Sequence, residues 1–215
     1  VMKLSNGFAG KKCKTGMKKA ARNMEAKKHS ERQAHGFRFE SQVVADLNLI
    51  PETSYTAKWD AYDTDDTPIS IKCISLTGTI DCGSIVRMFE HFSSPGWDMI
   101  VGRHVNKVLK AVYRYSFTKE VCDALIGDLT VEAVRAFDEN IKSFEQGRHT
   151  EARAYAKSWK ATHKSQTGLL SVQPKIDSKT QRRVQCGINR TALNKLFSPM
   201  RYEGLQHLIG VDFGN

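Results

Sequence analysis

The sequence has few cysteines, and it has no long hydrophobic run. The five cysteines among 215 residues are scattered, without the short spacing of a zinc knuckle or a redox pair: Cys13, Cys73, Cys82, Cys122 and Cys186. We therefore expect free thiols in a reducing intracellular compartment, such as the cytoplasm. No apolar run approaches the length that crosses a bilayer, so we expect no membrane partner.

Several common catalytic motifs are also missing. The chain has no nucleophile elbow, P-loop or dinucleotide-binding fingerprint, and its seven histidines lack paired metal-ligand spacing. Acidic residues are in the minority, because 33 Lys and Arg against 23 Asp and Glu give a formal net charge of +10. This excess of positive charge favours a polyanionic partner, with nucleic acid as the first candidate.

The basic residues are concentrated at the N-terminus, where residues 1–36 predict a basic arm. This arm is either a solvated tail or a segment that follows DNA phosphates. From residue 37 onward no linker is evident, so we expect one domain, 37–215. It would consist of a core over 37–117, a helical insert over 118–166 and a C-terminal hairpin region over 167–215.

The core predicts the order helix, strand, strand, helix, strand, strand. Amphipathic periodicity indicates the helices, and apolar residues in alternating or continuous runs indicate the strands. The predicted elements cover residues 37–48, 55–62, 69 onward, 84–91, 98–105 and 108–117. Beyond the core we expect helices over 118–126, 130–144, 151–163 and 191–197, and a hairpin of strands 169–176 and 181–188. The fold class is therefore α/β, with a mixed central sheet flanked by helices.

The first hairpin of the core has a polar face. Side chains alternate across a strand, so Ser70 and Lys72 share one face, and Asp60 on the partner strand could approach them. A facing carboxylate and lysine can hold a divalent metal and stabilise a charged transition state. Each residue also has an ordinary interpretation, as a strand-end aspartate or a solvated lysine. Asp63, Asp65 and Asp66 are best interpreted as turn residues.

These residues, in this order, resemble the core of the PD-(D/E)xK nuclease superfamily, which includes many restriction endonucleases and Holliday-junction resolvases. In that family an aspartate on one strand precedes an acidic-x-lysine triplet on the next, and a helix carboxylate is common. Asp60 matches the aspartate, Lys72 the lysine and Glu40 the helix carboxylate. Ser70 stands where the triplet has its acid. A subset of restriction enzymes has serine there and a glutamate on the following helix, which Glu90 resembles; Glu90 could equally be a surface ion-pair partner.

The resemblance implies a restriction-endonuclease-like core and magnesium-dependent hydrolysis of double-stranded DNA. Asp60, together with Glu90 or Glu40, would hold Mg²⁺, and Lys72 would orient or deprotonate the water, or stabilise the phosphorane. It also implies a homodimer acting on a two-fold DNA site. Two alternatives stay open: a structure-selective nuclease of resolvase type, and a non-catalytic basic protein that binds nucleic acid.

The C-terminal hairpin has side chains suited to DNA. Arg and Lys bind phosphates or guanine and Gln binds adenine in the major groove, which admits a two-stranded ribbon. Alternation puts Arg182 and Arg183 on opposite faces, so at most one shares a surface with Lys175 or Gln185. The ordinary interpretation is a solvated edge hairpin. The candidate DNA-binding residues are Lys175, Lys179, Gln181, Arg182, Arg183, Gln185 and Arg190.

Overall fold

The computed structural model describes residues 31–54, 57–198 and 201–214. The chain divides into two units, Val1–Ala34 and His35–Asn215. The second unit contains all of the described strands, and all of the described helices apart from the first turn of the first helix. None of the helices in the described ranges has both the length and the apolar character needed to cross a bilayer.

The first helix, α1, is Glu31–Asp46 and begins before the predicted residue 37. Its buried side is formed by Phe39 and Val43, which are both fully buried. His35 lies one turn before Phe39 on the same side of the helix. Because His35 is polar, a search for apolar periodicity does not include it. The first 30 residues of the predicted basic arm lie outside the described residues.

The larger sheet has five strands in the spatial order β1-β2-β3-β5-β6. The strand bounds are Ile50–Pro51 (β1), Ala61–Tyr62 (β2), Pro68–Ser75 (β3), Trp97–Val105 (β5) and Val108–Phe117 (β6). Strands β3 and β5 are parallel and the other neighbours are antiparallel, so the predicted mixed sheet is confirmed. The predicted first strand over 55–62 is too long, because among its described residues only Ala61 and Tyr62 form a strand.

A second sheet was not predicted. It has three antiparallel strands, Ile80–Ser84 (β4), Ser171–Ile176 (β7) and Arg182–Ile188 (β8), in the order β4-β8-β7. Strand β4 escapes sequence analysis because its register shifts between Asp81 and Gly83, where Gly83 has a φ of 76°. Such a bulge interrupts the alternation that identifies a strand. The C-terminal hairpin is thus part of a sheet rather than a free ribbon.

The remaining helices lie close to their predicted positions. They are Ile85–Phe92 (α2), Lys119–Ile126 (α3), Val131–Ser143 (α4), His149–Thr162 (α5) and Arg190–Leu196 (α6), followed by a 3-10 helix, Glu203–Leu208. Thr118 and Thr130 cap α3 and α4, because each hydroxyl accepts a hydrogen bond from a backbone amide, at 3.4 Å and 3.2 Å. Ser84 occupies the N-cap position of α2, but its side chain makes no capping hydrogen bond.

Each face of the larger sheet is covered by its own apolar cluster. On one face, Ile69, Ile71 and Ile100 belong to the cluster that contains Phe39 and Val43 of α1. On the other face, Met99 and Val101 belong to the cluster that contains residues of α2 and α4. Helices α1 and α2 therefore lie on opposite faces of the larger sheet, which decides which helix can reach the polar face of β3.

Candidate active site

Asp60 and Lys72 lie side by side at the hairpin of β2 and β3. Ala61 pairs with Ile69, so Asp60 lies across from Ser70. The Asp60 Oδ2 atom accepts three hydrogen bonds, from the Ser70 hydroxyl at 3.0 Å, the Ile71 amide at 2.6 Å and the Lys72 ammonium at 3.0 Å. The predicted juxtaposition of Asp60 and Lys72 is confirmed, while their catalytic roles stay predictions.

The Asp60–Lys72 pair is open to solvent and has an unused oxygen. The Asp60 side chain is 27% exposed and that of Lys72 is 33% exposed. A pair this accessible contributes little to stability, on the order of 0–1 kcal/mol. All three of these hydrogen bonds go to Oδ2, and Oδ1 of Asp60 accepts none of the hydrogen bonds observed within the described residues.

The helix that contains Glu40 lies on the far side of the sheet from Lys72. Along β3, Ile69 and Ile71 face α1, and alternation turns Ser70 and Lys72 to the opposite face. Glu40 is half-buried on α1, next to Phe39. The helix of Glu40 therefore covers the face of the sheet that lies opposite to Ser70 and Lys72. The assignment of Glu40 as a metal ligand stays a prediction.

Glu90 is a surface residue of α2. Its side chain is 55% exposed and lies 3.5 Å from the guanidinium of Arg135 on α4. Arg87, on the same helix, donates to the Ala57 carbonyl. The surface ion pair considered for Glu90 is thus present, with Arg135 as its partner. The role of Glu90 as a metal ligand stays a prediction that this geometry does not support.

His91 of α2, which sequence analysis missed, lies near enough to Asp60 and Lys72 for their charges to affect it. It is 6% exposed, and its ring centroid lies 4.6 Å from that of Trp59. Burial lowers the pKa of His91 to about 4, and Lys58, Arg87 and Lys72 act in the same direction while Asp60 opposes them. Its Nε2 atom is buried and has no hydrogen-bond partner among the described residues.

Helical periodicity could have identified this position. The buried stripe of α2 consists of Ile85, Met88, Phe89, His91 and Phe92. His91 follows Met88 by three residues and so shares its face, whereas Glu90 falls on the solvent side. The resemblance to the nuclease superfamily pointed to Glu90, whereas the helical period places the neighbouring His91 on the buried side of α2.

A second group of carboxylates is held by Arg114 on β6. Its guanidinium donates to Asp63 at 2.9 Å and to Asp98 at 2.5 Å. The hydrogen bond from Arg114, followed by one from the Thr64 amide, lowers the pKa of Asp63. The predicted turn role of Asp63 is confirmed, because the Asp66 amide also donates to its carbonyl. A tightly paired carboxylate of this kind is a poor candidate for binding a free metal.

The C-terminal hairpin divides its two arginines between opposite faces, as predicted. Arg183 pairs with Lys175, and both lie on the face of Gln185. Arg182 lies on the other face with its side chain only 8% exposed, and it donates to the carbonyls of Asp177 and Gln181 at 2.5 Å and 2.8 Å. Both of these hydrogen bonds come from Nη1, and Nε and Nη2 of Arg182 are buried without a partner among the described residues. The role of Arg182 in DNA binding stays a prediction that this geometry does not support.

The other candidate DNA-binding residues are distributed over accessible positions. Lys179, Gln181, Arg183 and Arg190 are exposed, whereas Lys175 and Gln185 are half-buried. Arg190 also lines a cleft of about 450 Å³ together with Tyr113 of β6. A smaller cleft of about 320 Å³ between α5 and β7 has a strongly basic lining. Its residues are Arg153, Lys157, Lys160, Ala156, Pro174 and Ile176.

Comparisons with family models, with curated proteins and with solved structures give no match to this chain. Any functional conclusion therefore depends on the geometry of the candidate site and on the charge around it.

Proposed function

We propose that this protein is a metal-dependent endonuclease that hydrolyses phosphodiester bonds in double-stranded DNA, with a restriction-endonuclease-like core and sequence-specific cleavage. One observation carries the proposal. The carboxylate of Asp60 and the ammonium of Lys72 meet at 3.0 Å on a solvent-accessible hairpin, beside the hydroxyl of Ser70. The resemblance to the nuclease superfamily rests on these same residues.

The donor atoms at this site suit Mg²⁺. Magnesium uses oxygen ligands, and it commonly has one or two carboxylates, several waters and phosphate oxygens of the substrate. Asp60 Oδ1 would hold the ion, and the Ser70 hydroxyl, 3.0 Å from Oδ2 of Asp60, offers a further oxygen on the same face. When bound, such an ion offsets the charge of the reacting phosphate and lowers the pKa of a bound water.

Lys72 is the group that this chain contributes directly to the reacting phosphate. Its ammonium group is anchored by Asp60 but still 33% exposed, so it can approach an incoming phosphate without losing its partner. An ammonium fixed in advance stabilises the negative charge that develops on the phosphorane. Asp60 is thus both the metal carboxylate and the group that positions Lys72.

Charge and exposed side chains support DNA as the substrate. The chain has a formal net charge of +10, and Lys175, Arg183 and Gln185 share one face of the hairpin. These residue types bind phosphates and base edges of the major groove. A homodimer on a two-fold site belongs to the same proposal. A reducing intracellular location fits the free thiols of Cys73, Cys82, Cys122 and Cys186.

The decisive experiment compares substitutions of Asp60 and Lys72 with matched controls. Plasmid DNA is incubated with the purified protein and Mg²⁺, or with a chelator, and cleavage is followed on gels. Asp60→Asn and Lys72→Met should lower the cleavage rate by about 100- to 1,000-fold, because each removes charge from the transition state. Asp65→Asn and Lys119→Met, at exposed positions, should cleave like the unchanged protein.

The outcomes separate the proposals. Discrete fragments support sequence-specific cleavage, whereas cleavage of four-way junctions alone supports a resolvase. Normal cleavage by Asp60→Asn or Lys72→Met would refute the assignment of the site. The variants Glu40→Gln and Glu90→Gln test whether either glutamate binds the metal. Loss of a second metal carboxylate should raise the Mg²⁺ concentration that is needed for half-maximal cleavage.

A second candidate function is nucleic-acid binding without catalysis. Two observations favour it: Ser70 occupies the position of an acid, and Glu90 is paired with Arg135 at 3.5 Å. In that case the protein binds DNA but cuts no substrate with any divalent metal. Arg183→Ala should weaken binding equally under both functions and reduce its salt dependence by about one phosphate contact.

A further inference from the structure

Three metal-ligating side chains converge on the face of the larger sheet that is opposite to Lys72. His35 of α1, Cys73 of β3 and His104 of β5 each offer one ligand atom, and these atoms lie within 4.8 Å of one another. Among the described residues this is the one group of three or more His, Cys, Asp or Glu side chains that meets this criterion. The proposed nuclease reaction uses none of the three.

Helix α1 brings His35 to this position. His35, Phe39 and Val43 follow one another at intervals of four residues, so they form a single stripe along α1. Phe39 and Val43 are fully buried in the apolar cluster against the sheet. The same helical face therefore directs His35 toward the sheet one turn earlier.

The two strands bring Cys73 and His104 together. Cys73 pairs with Gly102 of the neighbouring parallel strand, and His104 lies two residues beyond Gly102. Cys73 follows Ile71 by two residues, so it shares the face that α1 covers. The rings of His35 and His104 meet edge to face with their centroids 4.9 Å apart.

Burial lowers the pKa of His35, with Lys107 and Arg38 acting in the same direction, and burial also lowers the pKa of His104, followed by the effect of His35. Metals bind the neutral form of imidazole. The Nδ1 atom of His35 is buried and has no hydrogen-bond partner within the described residues.

Two features oppose metal binding and set its cost. Burial raises the pKa of Cys73 to about 12, so a metal must displace the thiol proton, which is released to solvent when the thiolate binds the ion. The cations Lys107 and Arg38 repel a divalent ion, and the thiolate formed on binding offsets part of that repulsion. The Nδ1 atom of His104 also accepts a hydrogen bond from the Lys107 amide at 3.2 Å. Metal binding costs this bond, because either the metal occupies Nδ1, or it occupies Nε2 and the ring proton moves to Nδ1.

We propose that His35, Cys73 and His104 form a binding site for Zn²⁺, which fastens α1 to the sheet. Two imidazole nitrogens and one thiolate suit Zn²⁺ or Co²⁺ and do not suit Mg²⁺ or Ca²⁺. Three protein ligands leave a fourth position of the tetrahedron for water. The ion would join one helix to two strands, so its binding should raise the stability of the fold.

The test uses Co²⁺ as a spectroscopic substitute for Zn²⁺. The full chain, purified without a histidine tag and treated with a chelator, is titrated with Co²⁺. We expect one equivalent of Co²⁺ to produce a thiolate-to-cobalt charge-transfer band and the visible absorption of a tetrahedral ion. Added Zn²⁺ should abolish both signals, added Mg²⁺ should leave them unchanged, and Zn²⁺ should raise the midpoint of thermal unfolding.

Two substitutions and one control make the result specific. Cys73→Ser should eliminate the charge-transfer band, and His104→Gln should weaken Co²⁺ binding by more than about 100-fold. Cys82→Ser, at a half-buried cysteine of the other sheet, should retain the band. Absence of the band in the unchanged protein, or its persistence in Cys73→Ser, would overturn the proposal. Since DNA cleavage with Mg²⁺ is measured separately, failure of the zinc site leaves the nuclease proposal intact.

Discussion

Acidification should destabilise the folded chain through His91 of α2, which is buried beside the candidate active site. In the unfolded chain an imidazole has its ordinary pKa near 6.5, whereas burial in the native state lowers the pKa of His91 to about 4. Below pH 6.5 the unfolded state therefore binds a proton at His91, whereas the native state does not bind it until about pH 4. The contribution of neutral His91 to the free energy of unfolding is full above pH 6.5. It falls as the pH decreases to about 4 and levels off below that value.

The size of this effect follows from the two pKa values. Each tenfold difference in proton affinity corresponds to about 1.4 kcal/mol, so the full loss is on the order of 3 kcal/mol. His91 is only 6% exposed, so solvent screening reduces this figure little. A loss of this size is a large part of the stability of an ordinary domain.

The assay compares the protein with two variants that cannot titrate at this position, His91→Gln and His91→Phe. Urea unfolding of all three proteins is followed by tryptophan fluorescence between about pH 7 and about pH 4. The difference in the free energy of unfolding between the unchanged protein and a variant removes the effect of all other titrating groups. We expect both differences to shift by about 3 kcal/mol in favour of the variants toward low pH. Parallel stability curves would refute the reasoning.

Three further predictions concern packing and hydrogen bonding. Gly102→Ala should destabilise the fold by about 1–3 kcal/mol, because the added Cβ would lie 2.6 Å from Cζ of Phe39; an unchanged urea midpoint would contradict this close contact. Asp138→Ala should cost about 1–3 kcal/mol, because it removes the partner of the Val184 amide at 2.7 Å, and the loss is measured by urea unfolding. Thr130→Ala should cost about 1 kcal/mol through the lost cap of α4, seen as a lower thermal midpoint.

The elements that sequence analysis located best are those with a strong period and clear ends. Strand β6 and the capped helices α3 and α4 were found within one residue of their observed bounds, because alternation, an apolar stripe and a capping threonine agree there. The bulged strand β4 was missed because its pattern is broken. The predicted strand before Asp60 was too long, because Trp59 packs against His91 and Trp97 without forming a strand.

At the candidate site the sequence identified the pair but not its surroundings. Asp60 and Lys72 were predicted as neighbours because both lie on one hairpin, where a two-residue alternation fixes the face. Glu90 was proposed as a metal ligand from the resemblance to the nuclease superfamily, and that role stays a prediction. In the structure Glu90 pairs with Arg135, and the buried polar residue of α2 is His91.

The sequence by itself determined the α/β class, the order of most elements, the excess positive charge and the polar hairpin of Asp60 and Lys72. These features are local, because they depend on residue type, periodicity and spacing along a few residues. Only the tertiary structure decided which helix covers which face of the sheet, that Arg182 is used inside its own hairpin, and that His35, Cys73 and His104 meet. Those three residues come from separate elements, and their proximity depends on how one helix and two parallel strands pack together.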